Sequence, residues 1–275
     1  MERGRNAIVS ALAGLNDRAG LIPFVVAGDP NFEDSIELLR ILSEYADVIE
    51  IGIPYSDPLA DGPAIQAGAA RSLANGMNLS RAMDLISAVR TFSPVPIIAF
   101  TYANPVYKTG IAKFLSNARG AGADGVIIPD LPHEESEDLR RELDRLNMAY
   151  VPLVSLTSGE RAARIAKTAT GFVYCVSTLG VTGERKSFAA QLPALVSQVK
   201  ASSTVPVAVG FGVSQTEQVA ELSAYADGVI VGSAFVKYAG LLKNAAPEDR
   251  NVILQAFRRF ASDLAGATNK GEKLG

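Results

Sequence analysis

The chain has 275 residues, 48% of them hydrophobic and 20% charged, with a formal net charge of −3. That apolar content supplies a large core, and the near balance of charge points neither to a polybasic nucleic-acid surface nor to an acidic disordered chain. The single cysteine, Cys175, excludes an internal disulfide, and the lone histidine, His133, makes zinc, haem and iron–sulfur centres poor expectations.

Residues 1–15 place Arg3 and Arg5 ahead of an apolar stretch, as a signal peptide does. Ile8, Leu12 and Leu15 recur at helical spacing, however, which predicts an amphipathic helix packed on a domain. No apolar run approaches the roughly 18–20 residues of a membrane span, so a cytoplasmic chain that does not cross a membrane is expected. Short β-branched runs follow at 21–26, 47–51, 95–101, 124–128, 149–154, 171–176, 205–209 and 227–231. Helical patterns separate them, such as 32–46, with Ile36, Leu39 and Leu42 on one face, and 188–199, with Leu192, Leu195 and Val199. Runs apolar on both faces, as in Val126-Ile127-Ile128, suit parallel strands buried between a core and a helical layer. The alternation predicts a single-domain (β/α)8 TIM barrel over 1–275 with an extra N-terminal helix, the alternative being an open doubly wound sheet. Residues 267–275 are small, polar and charged, and a disordered tail is expected there.

Two strand-to-strand intervals are too long, and their excess holds 54–76 after the second strand and 177–187 after the sixth. In a barrel both are loops on the C-terminal face, where active sites sit. Glycine-bearing turns follow the last three strands: Gly180-Val181-Thr182-Gly183, Gly210-Phe211-Gly212 and Gly232-Ser233, the last opening a predicted helix at 234–238. Any one of them alone reads as a tight turn. Together in adjacent loops they predict a site where backbone N–H groups and a helix start receive an anion. No Gly-x-x-x-x-Gly-Lys-Ser/Thr loop is present, and Gln215 stands where a dinucleotide fingerprint needs a third small residue. A small phosphorylated metabolite is therefore the economical ligand.

Glu50 lies among the β-branched residues of the second strand, where desolvation raises a carboxyl's pKa and fits it for proton transfer near neutrality. The alternative is a structural glutamate paired to a lysine or arginine. Asp61 either caps a helix starting near Pro63 or faces the pocket, where it and Glu50 would divide acid and base duties. Asp57, before a proline, fits turn initiation. Tyr174, in strand six, is a further polar candidate, although on its own it reads as core. His133 reads as helix-start chemistry and Cys175 as a buried structural thiol.

The stretch Ile49-Glu50-Ile51-Gly52-Ile53-Pro54-Tyr55-Ser56-Asp57-Pro58-Leu59-Ala60-Asp61-Gly62-Pro63 resembles the signature of tryptophan synthase alpha chains. Ala27-Gly28-Asp29-Pro30, Tyr102-Ala103-Asn104-Pro105, Gly125 to Pro132, Gly180 to Gly183 and Gly210-Phe211-Gly212 extend the resemblance over nearly the whole chain. It implies a lyase that splits indole-3-glycerol phosphate by retro-aldol cleavage into indole and glyceraldehyde 3-phosphate. It also implies Glu50 as the proton-transferring group, Asp61 on the indole N–H and Tyr174 in the catalytic site. By the same resemblance Phe24, Phe100, Tyr102 and Phe211 line the substrate, and Thr182, Gly183, Gly212, Gly232 and Ser233 bind it at the phosphate end. No cofactor is implied on this chain. Pyridoxal phosphate is expected in a beta-chain partner of an alpha2beta2 heterotetramer, docked on segments that include Asp57, Asn104, Pro105, Asp130 and Pro132. Where several family members carry an arginine, this sequence has Ser177-Thr178-Leu179, so closure of the sixth loop does not carry over. A stand-alone lyase releasing free indole, a sugar-phosphate isomerase barrel and a catalytically silent activating subunit are the competing readings.

Overall fold

The computed structural model describes residues 2–176, 185–210 and 212–269, with the backbone but not the side chains of 185–190. Each of the eight predicted runs contains a strand: β1 (Gly20–Val26), β2 (Ile49–Gly52), β3 (Ile97–Phe100), β4 (Gly125–Ile127), β5 (Ala149–Tyr150), β6 (Leu153–Ser155), β7 (Val173–Val176), β8 (Val207–Gly210) and β9 (Gly228–Val231). The fifth run holds two of them, β5 and β6, because Pro152 has no N–H to give the ladder. β5 pairs with β4 and β6 with β7, all parallel. The ring passes through the break, where Val151 N–H donates to the Val126 carbonyl at 3.3 Å and Tyr174 N–H to the Pro152 carbonyl at 3.0 Å. β1 joins β9 with Gly20 opposite Gly228. The architecture is thus the single-domain (β/α)8 barrel, its strands ordered β5-β4-β3-β2-β1-β9-β8-β7-β6.

Helices α1 (Arg5–Ala13), α2 (Phe32–Leu42), α3 (Pro63–Ala74), α4 (Leu79–Arg90), α5 (Ala103–Thr109), α6 (Ile111–Ala121), α7 (Glu137–Arg145), α8 (Arg161–Ala166), α9 (Arg185–Ser202), α10 (Thr216–Ser223), α11 (Ser233–Leu242) and α12 (Pro247–Ala267) surround the strands. α2 starts where its pattern says it should, with the Asn31 side chain accepting the Asp34 N–H. It ends four residues before the predicted 46, as Glu44 and Tyr45 turn back by hydrogen bonds to the Ile41 and Leu42 carbonyls. α9 contains the predicted 188–199 helix.

Successive strand residues face opposite sides, so each strand feeds two cores. Outward residues such as Ile49, Ile51, Ile97 and Val229 pack on Leu38, Leu39, Ile86, Phe114 and Phe235 of the helices. Inward residues Ile22, Val48, Ile98, Ile127, Phe172, Ala208 and Ile230 fill the lower barrel, where Ile8 and Leu12 of α1 join them from below. The apolar spacing of residues 1–15 is therefore that of a plug. Its N-terminal end is tied down by Asp124, fully buried, which accepts from Arg3 Nε at 2.9 Å, Arg90 Nη2 at 2.5 Å and the N–H groups of Gly4 (2.7 Å) and Ile97 (2.9 Å). With the bottom sealed, the C-terminal end of the barrel is left for chemistry. Ile8→Ala is expected to destabilise the fold by about 2–4 kcal/mol, the cost of a cavity in a packed core, with the substrate KM unchanged. Denaturant unfolding and steady-state kinetics check the two halves of that expectation.

The chain is ordered past 267, where a tail is expected. α12 runs through Ala267 on a buried face of Leu254, Phe257, Ala261 and Leu264, and Thr268 is itself buried. The Thr268 carbonyl accepts the Ala19 N–H at 2.9 Å, and Asn269 bridges Arg18. Composition made these residues look like a tail, whereas long-range pairing holds them on the barrel. Residues 270–275 lie outside the described residues.

Candidate active site

One level above the packed lower barrel, the inward residues change character. Register sets Phe24 beside Glu50 and Glu50 beside Ile98, and Tyr174 faces in from β7. Phe24, Glu50, Phe100 and Tyr174 bound a cavity of about 310 Å³ together with Asp61, Ile65, Leu153, Gly212, Ile230, Gly232 and Ser233. Phe24 and Phe100 meet edge to face, with centroids 5.3 Å apart, and give the cavity one flat apolar wall.

Glu50 is 1% exposed, and its Oε1 has no hydrogen-bond partner among the described residues. No described lysine or arginine pairs with it, so the reading as a structural ion pair has no support. Desolvation acts unopposed and pushes the carboxyl up to about 8. At neutral pH Glu50 is a protonated acid facing a cavity. Tyr174 is held well above the ordinary phenol range, first by burial and then by the negative charges of Glu50 and Asp61. Its hydroxyl needs room: a Cβ built on Gly210 would stand 2.9 Å from Tyr174 Oη and 2.6 Å from Ile230 Cβ. Gly210→Ala is therefore expected to displace Tyr174 and to cost about 1–3 kcal/mol of stability by overpacking, with a fall in kcat. Thermal unfolding beside turnover at a temperature where the variant is folded checks both.

The capping reading of Asp61 fails, since the N-cap of α3 is Gly62, without a side-chain cap, and Pro63 takes the first helical position. Asp61 instead lies on the cavity wall, half-buried. Desolvation pushes its carboxyl up to about 6, and a hydrogen bond from Tyr102 restrains the rise. Tyr102 itself is nearly fully buried and stands behind Asp61, outside the main cavity's lining, with its hydroxyl accepting the Ala60 N–H at 3.2 Å. Tyr102 thus stands against Asp61 and lines a small adjoining pocket with Phe24, Asp61, Ile65 and Phe100. Two carboxyls share one cavity with their titrations about two units apart, the condition under which one can act as an acid while the other is an anion.

At the far side of the cavity Gly232 and Ser233 open α11, whose first N–H groups have no acceptor within the helix. Gly212 takes φ +66°, a left-handed conformation that suits glycine. Thr182, Gly183 and Phe211 lie outside the described residues, as do Ser177, Thr178 and Leu179. Ile65, Leu153 and Ile230 line the cavity without having been singled out. Their sequence signal is that of any core position, and only closure of the ring, with α3 packed over its mouth for Ile65, brings them to this level.

The segments assigned to a partner lie outside the cavity on the C-terminal loops. Asn104 Nδ2 donates to Tyr55 Oη at 2.5 Å, and Tyr55, Asp57, Asn104 and Pro105 share one groove. Asp130 accepts the Ala103 N–H at 2.8 Å, and Pro132 borders a second groove beside His133. His133 opens a short 3-10 turn ahead of α7 and is absent from the catalytic cavity's lining. Cys175 is fully buried on the helix-facing side of β7, and burial pushes its thiol up to about 12, an inert state. Among the described residues no group of three or more His, Cys, Asp or Glu is placed to hold a metal ion.

Residues 11–268 match the family described as Tryptophan synthase alpha chain. The tryptophan synthase alpha chain of Geobacillus stearothermophilus is 49% identical over 248 residues, covering 89% of this chain and 92% of the relative. Among solved structures, tryptophan synthase from M. tuberculosis, in an open form with BRD0059 bound, superposes with a TM-score of 0.84 at 31% identity over 96% of this chain and 99% of that one. A chain from the Pyrococcus furiosus structure described as the tryptophan synthase a2b2 complex gives a TM-score of 0.81 at 37% identity, covering 91% and 99%. With a family model matched over nearly the whole chain and relatives this similar, the chain belongs to the tryptophan synthase alpha chain family, lyases that cleave indole-3-glycerol phosphate.

Proposed function

We propose that Glu50, Asp61 and Tyr174 carry out the retro-aldol cleavage in this chain, with Phe24 and Phe100 against the indole and Gly212, Gly232 and Ser233 at the phosphate. The observation that carries this reading is the unpartnered, buried carboxyl of Glu50 on the same cavity as the half-buried carboxyl of Asp61. Protonated Glu50 donates its proton to indole C3, and positive charge develops on the ring nitrogen opposite the Asp61 carboxylate. Glu50, now a carboxylate, takes the proton of the glycerol hydroxyl as the carbon–carbon bond breaks. The bonding electrons return to the ring, giving indole and the aldehyde of glyceraldehyde 3-phosphate, and the acid is regenerated. Tyr174, neutral throughout, lines the site beside Glu50. The free N–H groups at the start of α11 and the turn at Gly212 favour the phosphate by charge and by close backbone approach.

The family's partner is a beta chain that carries the pyridoxal phosphate, and this reading requires no cofactor on the chain itself. Asp57, Asn104, Pro105, Asp130 and Pro132 border two grooves outside the cavity and supply the docking side of an alpha2beta2 assembly. Among the described residues no helix is long and apolar enough to cross a membrane, in keeping with a cytoplasmic biosynthetic enzyme. The test is release of glyceraldehyde 3-phosphate from indole-3-glycerol phosphate by the purified chain, with and without a tryptophan synthase beta chain. Slow turnover that rises with the partner is expected. Fast partner-independent turnover would make the chain a free indole-releasing lyase, and none in either condition would leave it a silent activating subunit.

A further inference from the structure

Outside the cavity's lining, one buried ion pair joins three elements that meet the site separately. Arg71, near the end of α3, donates from Nε to Asp29 Oδ1 at 2.7 Å and from Nη2 to Asp29 Oδ2 at 2.8 Å. Asp29 lies in the turn after β1, and its side chain is 1% exposed against 18% for Arg71. The same Nη2 reaches the Val236 carbonyl in the first turn of α11 at 3.3 Å. The surrounding backbone is shaped to this fork. A Cβ on Gly240 would stand 3.2 Å from Arg71 Cζ, and one on Gly68 would stand 2.9 Å from Asp29 Oδ2 and 2.6 Å from Val236 Cγ1. Neighbouring side chains lock the turn further, Gly28 N–H donating to Ser35 Oγ at 3.1 Å and Ser72 Oγ to the Ala27 carbonyl at 2.5 Å.

A buried ion pair pays desolvation and is weak evidence for net stability, but a bidentate fork fixes orientation closely. What this fork orients is specific. α3 begins two residues after Asp61, and α11 begins at Ser233, one turn before Val236. Asp61 and Ser233 line the same cavity and come from loops distant in sequence, so their separation is set by the contacts between α3, α11 and the β1 turn. We infer that Arg71 and Asp29 form a positioning pair that fixes the distance between Asp61 and the phosphate-binding start of α11, and thereby the alignment of the substrate over Glu50. This rests on the roles proposed above for Asp61 and Ser233. Misplacement by about 1 Å at such a remove costs up to roughly 100-fold in rate.

The test compares wild type, Arg71→Met, Arg71→Lys and Gly240→Ala, each by thermal unfolding, by kcat and KM for indole-3-glycerol phosphate, and by the Kd of glycerol 3-phosphate as a probe of the phosphate end alone. Arg71→Met is expected to lower kcat roughly 10- to 100-fold and to weaken the probe, with Arg71→Lys recovering part of the loss because it restores charge without the fork. Gly240→Ala separates positioning from stability. Alanine favours the helix, so stability is expected to hold or rise while the displaced guanidinium lowers kcat several-fold. If Arg71→Met fails to fold, the lysine and alanine variants carry the test. Wild-type kcat, KM and probe Kd in the folded variants would overturn the inference. Absent turnover in wild type would sink the proposed chemistry instead, and the probe affinities would still report on the pair.

Discussion

Glu50→Gln is expected to cut kcat for indole-3-glycerol phosphate cleavage by about 10²- to 10⁴-fold, the range that a positioned proton donor contributes. Glutamine keeps the volume and one acceptor but cannot release a proton to indole C3, so the loss should fall on kcat while the phosphate and indole contacts leave KM near its wild-type value. The same substitution should change stability with a sign fixed by linkage. Burial raises the folded carboxyl from 4.5 to about 8, so between those values the folded chain holds a proton that the unfolded chain has lost. Stability contributed by the protonated form is fully present below about 4.5 and declines as pH rises through about 8. Wild type should lose several kcal/mol relative to Glu50→Gln across that window, since each pH unit between 4.5 and about 8 is worth about 1.4 kcal/mol, and level off above it. Unfolding of both proteins from pH 5 to 9 checks this. Parallel stability profiles, or undiminished turnover by the glutamine variant, would remove Glu50 from the proton path.

Asp61→Asn is expected to lower kcat by about 10²- to 10³-fold, as loss of a group aimed at developing charge does. The asparagine can still accept from the indole N–H, so ground-state binding should suffer less than turnover. The pH profile distinguishes its role from that of Glu50. Asp61 must be ionised, which holds above about 6, and Glu50 must be protonated, which holds below about 8. Wild-type kcat/KM should therefore be bell-shaped, falling on the acid side through about 6 and on the alkaline side through about 8. Asp61→Asn should erase the acid limb and keep the alkaline one. An acid limb unchanged in the variant would mean that another group sets it.

The two acids differ in how far the sequence alone could reach. A carboxyl inside a β-branched strand must be either paired or perturbed, so Glu50 was legible as a candidate from its neighbours. Asp61 was not decided by its neighbours, because an aspartate two residues before a helix suits a cap as well as a catalyst. Only the placement of Gly62 at the cap, with Tyr102 behind and the cavity in front, separates the two. Tyr102 shows the converse. Its position in the motif carried no direction, and the barrel turned its hydroxyl toward Ala60 and Asp61.

Sequence periodicity by itself determined the eight strand positions, helical segments such as those within 32–46 and 188–199, and the apolar face of residues 1–15, because period and turn chemistry are local properties of the chain. Family resemblance supplied the reaction. The tertiary structure decided what depends on which distant residues become neighbours: the break of the fifth strand at Pro152 within a closed ring, the anchoring of Thr268 and Asn269 to Ala19 and Arg18, the absence of a described partner for Glu50, and the Arg71–Asp29 fork. Desolvation, hydrogen-bond satisfaction and cavity shape are properties of the packed assembly, and the linear chain does not carry them until the first strand meets the last.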